Sequence, residues 1–325
     1  MRWDLHGIVV EGESDWPALR EAWRAIFSAC SAAPDGSSAA PDGSSAPPAQ
    51  ISCRLDRVAL VPETPRLPPI LADGDFASYY LVDGGAIAHF PRFGQLRFDF
   101  AGARTTGLIT EDALLTYGVI EDLIAVSLSA HLRRRGFFLV HAFAAALDGR
   151  VALIVGGIGA GKTTTGLSLL AAGWKLVSND SPIVDRRGQV LSYPGPLAAA
   201  PDSFERFEAT RAIAQSAAFH PAGRKKLAVP AESVWPGVWT AGGPARAILF
   251  PRIEARADHL LEPLSEGEAL RELLPHSVER WDPSMMPEHL RALKHLVATA
   301  GAFRVRLGPD VGSIPATVAR AMGDR

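Results

Sequence analysis

The sequence predicts an α/β (α+β) protein in two parts, and three observations carry that prediction. Short alternating or apolar runs bounded by turn residues fill 51–109, a helical repeat fills 111–135, and apolar runs of strand length alternate with helical patterns from 137 onward. The matching division is a smaller β-rich domain over 1–110, a connecting helix over 111–136 and a larger domain over 137–325. A chain of 325 residues is long enough for about two domains.

The elements follow in order. Residues 5–10 predict a short strand. Trp16, Leu19, Trp23, Ile26 and Phe27 fall at helical spacing and predict an amphipathic helix over 16–27. A compositional break comes next, where AAPDGSS at 32–38 is repeated at 39–45 ahead of Ala46-Pro47-Pro48. A stretch so rich in Pro, Gly, Ser and Asp cannot bury enough apolar area to offset chain entropy, so 31–50 reads as a flexible inserted spacer. Strands are expected at 58–61, 78–82, 86–90 and 96–100, with Asp83-Gly84-Gly85 and Phe93-Gly94-Gln95 as turns, giving an antiparallel N-terminal sheet. Leu114, Leu115, Val119, Ile120, Leu123, Ile124, Leu128 and Leu132 keep the helical period until Gly136, which predicts one helix over 111–135. Beyond it, 137–146 and 151–155 read as strands joined by Asp148-Gly149-Arg150, 163–172 as a helix closed by Gly173, and 175–178 as the next strand. Strands at 246–250 and 302–307 and helices at 266–274, 287–299 and 314–322 complete the α/β half.

Composition excludes several classes. With 33 basic against 35 acidic residues and no long basic run, the chain offers no broad electrostatic footprint for nucleic acid or an anionic membrane. No apolar run approaches the roughly 20 residues of a spanning helix. Cys30 and Cys53 stand in no metal-binding or disulfide pattern, and residues 1–6 lack a secretory pattern, so a reduced, cytoplasmic setting is expected. His289 and His295 are six apart and share no helix face, so no zinc is expected.

The sharpest signal is Gly156-Gly157-Ile158-Gly159-Ala160-Gly161-Lys162-Thr163, which fits G-x-x-x-x-G-K-[ST] between a strand and a helix. Glycines let successive N–H groups turn inward around a phosphate, and the following helix start favours the same anion. Lys162 can reach the β- and γ-phosphates, and the Thr163 hydroxyl can ligate Mg²⁺ bridging them. The nucleotide-contacting candidates therefore run from Gly156 through Thr163 to Thr164, and ATP with Mg²⁺ is the expected ligand pair. A dinucleotide loop is disfavoured, because G-x-G-x-x-G is not met and no acidic residue ends a second strand at the right distance.

Other candidates cluster around this loop in the sequence. Asn179-Asp180 ends the strand at 175–178, where a carboxylate could hold Mg²⁺ or accept the proton of an attacking hydroxyl; Asn-Asp-Ser-Pro is also ordinary turn composition. His141 falls inside the expected strand at 137–146, where a core histidine is the alternative to a catalytic one. Lysine is scarce, with five among the 33 basic residues, so Arg224-Lys225-Lys226 could mark a phosphate-contacting loop, the alternative being a solvated turn. Trp235 and Trp239 read as packing residues or as walls of a pocket.

Taken together, His141, the loop from Gly156 to Thr163, Ala172-Gly173-Trp174-Lys175-Leu176-Val177 and the polar pair at 179–180 resemble the C-terminal catalytic domain of HPr kinase/phosphorylase, and most closely its divergent bacterial members. The resemblance spans 139–185. It implies a phosphoenolpyruvate-carboxykinase-like nucleotide-binding core and ATP-dependent phosphorylation of a hydroxyl, typically serine. Carried over by position, Lys162 and Thr163 hold phosphates and metal, Asn179 and Asp180 stand where the family has two acids, and His141 neighbours the reacting group. Asn179 in place of an acid, and no match to the family's later glycine-rich signature, point to a kinase without the reverse reaction. The expected acceptor is a peptide, a protein or a small molecule bearing a hydroxyl, with homo-oligomers left open. The alternative is an ATP-binding regulatory or assembly module with little or no transfer.

Overall fold

A computed structural model describes residues 1–30, 49–216, 226–277 and 279–323. The spacer at 31–50 therefore lies almost wholly outside the described residues, as do Arg224 and Lys225. The fold is mixed α+β, in two compact units: Met1–Arg135 together with Arg280–Pro283, and Gly136–Glu279 together with Ser284–Arg325. The helical segment after 110 thus belongs to the first unit, and a short later segment returns to it.

The first unit opens with β1 (Arg2–Leu5) and β2 (Ile8–Glu13), a hairpin rather than the single strand expected at 5–10. The turn is His6-Gly7, both at positive φ (55° and 83°), and the Gly7 N–H is capped by Asp4. A histidine in that conformation is uncommon, which hides the turn in sequence. Helix α1 (Pro17–Ile26) buries Leu19, Trp23 and Ile26, and Trp23 stacks with Trp3 and Phe27. There follow β3 (Ile51–Arg57), β4 (Leu71–Asp73), β5 (Ala77–Val82), β6 (Gly85–Phe90), β7 (Gly94–Asp99) and β8 (Arg104–Ile109). The sheet order is β1-β2-β3-β8-β7-β6-β5-β4.

Two expectations fail in this sheet. The run at 58–61 is not a strand: Leu60 is exposed, and Pro62, Pro65, Pro68 and Pro69 follow, which cannot donate to a ladder. The sheet is also mixed rather than antiparallel, since β3 runs parallel to both β2 and β8. The β2–β3 connection contains α1 and the inserted stretch, long enough for the crossover that a parallel pair requires.

The continuous helix expected over 111–135 is divided into α2 (Glu111–Leu115) and α3 (Val119–Leu132), with a final 3-10 turn at Arg133–Arg135. Thr116 is extended and Gly118 adopts a left-handed φ of 78°, which breaks the i→i−4 ladder while leaving the apolar spacing intact. Inside α3, His131 is fully buried and its Nε2 lies 3.0 Å from the Thr105 hydroxyl. Burial above all, then the Arg134 and Arg135 charges, push its pKa down to about 4. The unfolded chain, with an ordinary value near 6.5, binds the extra proton first, so this contribution is intact above about pH 6.5 and is lost as pH falls toward 4. Urea unfolding should show a loss on the order of 3 kcal/mol across that window, and His131→Gln should flatten it.

The second unit begins with β9 (Phe137–Leu139) and β10 (Ala142–Leu147). The single strand read over 137–146 does not form. The chain instead breaks at Val140-His141, because β9 pairs with β13 (Ile183–Asp185) whereas β10 pairs with β11 (Arg150–Val155) and β12 (Lys175–Ser178). His141 therefore lies in the break, not within a strand, and its side chain is 44% exposed, which removes the core-histidine alternative. The β10–β11 turn, Asp148-Gly149, has both residues at positive φ.

Helix α4 (Lys162–Ala171) follows β11 and packs on β10. A Cβ on Gly166 would stand 2.5 Å from the Phe143 ring, so a glycine is what allows this approach. The remaining elements are β14 (Gln189–Leu191), β15 (Leu197–Ala199), α5 (Pro201–Glu205), α6 (Glu208–Ser216), β16 (Leu227–Val229), α7 (Ala231–Val234), β17 (Gly242–Ile253), β18 (Leu260–Pro263), α8 (Glu266–Leu273), α9 (Met286–Thr299), β19 (Gly301–Leu307) and α10 (Ile314–Gly323). The main sheet runs β12-β10-β11-β17-β14-β13-β9, with β19 on β17 and β18 on β19; β11, β17 and β19 are mutually parallel where they pair, and the other pairings are antiparallel. No helix among the described residues is long and apolar enough to cross a membrane.

Candidate functional site

The glycine loop occupies the turn from β11 into α4. Gly159 (φ 79°) and Gly161 (φ 102°) hold backbone conformations that favour glycine, and a Cβ on Gly161 would also press on Leu307 at 3.1 Å. Gly161 is the helix N-cap, and as a glycine it has no side chain with which to cap the first N–H groups of α4. Ile158 is fully exposed at the tip.

Lys162 is buried at the helix start and its ammonium donates to the carbonyls of Gly156 (2.5 Å) and Gly157 (3.2 Å). Burial lowers its pKa; the Lys226 charge pushes the same way, and Asp180 opposes both. Thr163 is half-buried, while the Thr164 hydroxyl lies 3.2 Å from that of Ser203 on α5.

Three main-chain bonds assemble the facing side of the site. Ala142 N–H donates to Asp180 O (2.9 Å), Val140 N–H to Pro182 O (3.0 Å) and His141 N–H to His276 O (2.7 Å). The chain break at 140–141 and the bend after β12 are thereby held together, and the Ser181 N–H adds a bond to the Ser178 hydroxyl. The segment at 179–182 is an irregular bend outside any helix or strand, and it delivers Asp180 to His141: Nδ1 and Oδ2 lie 3.3 Å apart. Burial acts to raise the Asp180 carboxyl. The hydrogen bond and attraction of His141, with the charges of Lys226 and Lys162, outweigh it and hold the group below the usual carboxylate range.

Asn179 Oδ1 is buried with no hydrogen-bond partner among the described residues. A buried acceptor left unpaired costs about 1–3 kcal/mol, so it suits a cation that would use its lone pairs. Among the described residues no three His, Cys, Asp or Glu side chains converge as a metal cage. A Mg²⁺ shared with phosphate oxygens needs only one or two protein ligands, and Thr163, Asn179 and Asp180 are of the right oxygen chemistry.

Of the residues singled out in sequence, Asp180 is the common partner, acted on electrostatically by His141, Lys226 and Lys162, and Lys226 also acts on Lys162. Trp235 and Trp239 instead pack, partly buried, against the core around Phe143 and Leu176. His289 is a buried core residue stacked on Phe138. His276, which no motif marks, stands with its ring centre 6.3 Å from that of His141 and feels the Lys162 charge. No protein-family model matches the chain, and no curated protein matches it.

Proposed function

We propose that the second unit is an ATP- and Mg²⁺-dependent kinase that transfers the γ-phosphoryl group to a hydroxyl, serine of a peptide or protein being the leading acceptor. The observation that carries this reading is the pairing of Asp180 with His141 in the same field of positive charge as Lys162. A loose phosphoryl-transfer transition state asks for position and charge more than for basicity, so a carboxylate held below its usual range still serves as the proton's destination if it is correctly placed. His141 orients that carboxylate, and Lys162 exchanges its loop carbonyls for the phosphates. When bound, Mg²⁺ would neutralise charge on the phosphate oxygens, with Thr163, Asn179 and Asp180 as its candidate protein ligands. The sheet, in which β11 has an antiparallel neighbour on one side and a parallel one on the other, supports a phosphoenolpyruvate-carboxykinase-like core over an all-parallel one.

Incubation with γ-labelled ATP and a cognate cell extract tests the reading, with label on an acceptor as the expected result. Lys162→Ala should weaken ATP binding by about tenfold or more, the value of one charge-assisted contact, as read by titration calorimetry. Unchanged affinity in that variant would remove the loop from the site.

Asn179 favours a second reading, since the resembled family has an acid there: a module that binds ATP and turns it over little. Firm Mg-ATP binding without label transfer to any extract component would select it.

A further inference from the structure

His276 ends a single 3-10 turn, Leu274–His276, directly behind α8, with its carbonyl bonded to the His141 N–H at 2.7 Å. Three charged or titratable groups face it: His141 from the break before β10, Lys162 from the start of α4, and Glu272 from α8. The ring is half-buried, yet no hydrogen bond to either of its nitrogens occurs among the described residues. Removing that side chain therefore breaks no side-chain hydrogen bond among the described residues. Burial first, then His141 and Lys162, lower its pKa, so at neutral pH it is an uncharged imidazole with one N–H to donate.

We propose that His276 grips the phosphoryl group in transit, its ring N–H donating to an oxygen of that group beside Lys162. The inference rests on the kinase reading. In the transfer, the acceptor oxygen forms a bond to the γ-phosphorus as the bond from that phosphorus to the β–γ bridging oxygen breaks. ADP leaves with the bonding electron pair, and the acceptor's proton passes to Asp180. His276 gains and loses no proton in this step; its hydrogen bond shortens as charge gathers on the phosphoryl oxygens.

Mg-ADP with aluminium fluoride mimics the group in transit and needs no identified acceptor. His276→Ala should bind Mg-ADP like the unaltered protein, but lose about tenfold or more in affinity for the aluminium fluoride complex. His276→Gln, which keeps a side-chain donor, should recover part of that loss. Equal losses for both ligands, no loss for either, or a glutamine variant no better than the alanine one would overturn the role. Failure of the unaltered protein to bind Mg-ADP would instead overturn the kinase reading and the inference with it.

Discussion

Asp180→Asn is expected to lower transfer of labelled γ-phosphate by roughly a hundred- to ten-thousand-fold, the range for losing a positioned proton acceptor, while ADP binding without Mg²⁺ persists. The substitution keeps the size of the side chain and the main-chain bond from Ala142 to the residue-180 carbonyl, so the local backbone should survive. What it removes is the negative charge that His141, Lys226 and Lys162 all face. Parallel losses of ADP binding and transfer would show that the residue shapes the pocket, and unimpaired transfer would end its assignment to the reaction.

The largest expected stability effect lies in the first unit. Asp282 is 2% exposed, 2.7 Å from Arg134 and 3.7 Å from Arg133, and Arg133 is itself buried, with its guanidinium 4.7 Å above the Trp281 ring. Burial pushes the Arg133 pKa down to about 10 against the opposing pull of Asp282. Asp282→Asn should therefore cost about 3–5 kcal/mol, because two neighbouring arginines, one of them buried, lose the carboxylate charge they share. Urea unfolding followed by tryptophan fluorescence would measure it; a loss under about 1 kcal/mol would rank the pair with exposed ones.

The glycine loop was legible because its pattern is local: glycines that take positive φ, a lysine and a hydroxyl lie together between 156 and 163. Asp180 and His141 were legible as separate candidates, but their contact depends on the break at 140–141, which a run from Phe137 to Ala146 that is apolar apart from His141 conceals. His276 was invisible for a related reason. It lies 114 residues beyond Lys162 by position, in a turn with no motif, and only the main-chain bond to His141 brings it in. The sheet of the first unit shows the same limit. Strand spacing gave β5, β6 and β7, whose hairpins are sequential, but not the parallel placement of β3, which depends on what the long connection allows.

The excursion at Arg280–Pro283 has a practical cost for anyone dissecting this chain. A piece starting at Gly136 would carry Trp281 and Asp282 into water, stripped of Tyr79, Phe98, Arg133 and Arg134; a piece stopping at Arg135 would lack the residues those four enclose. Scissors applied once cannot separate the halves cleanly, so silence from either fragment in an assay would reflect a torn seam before it reflected a missing partner.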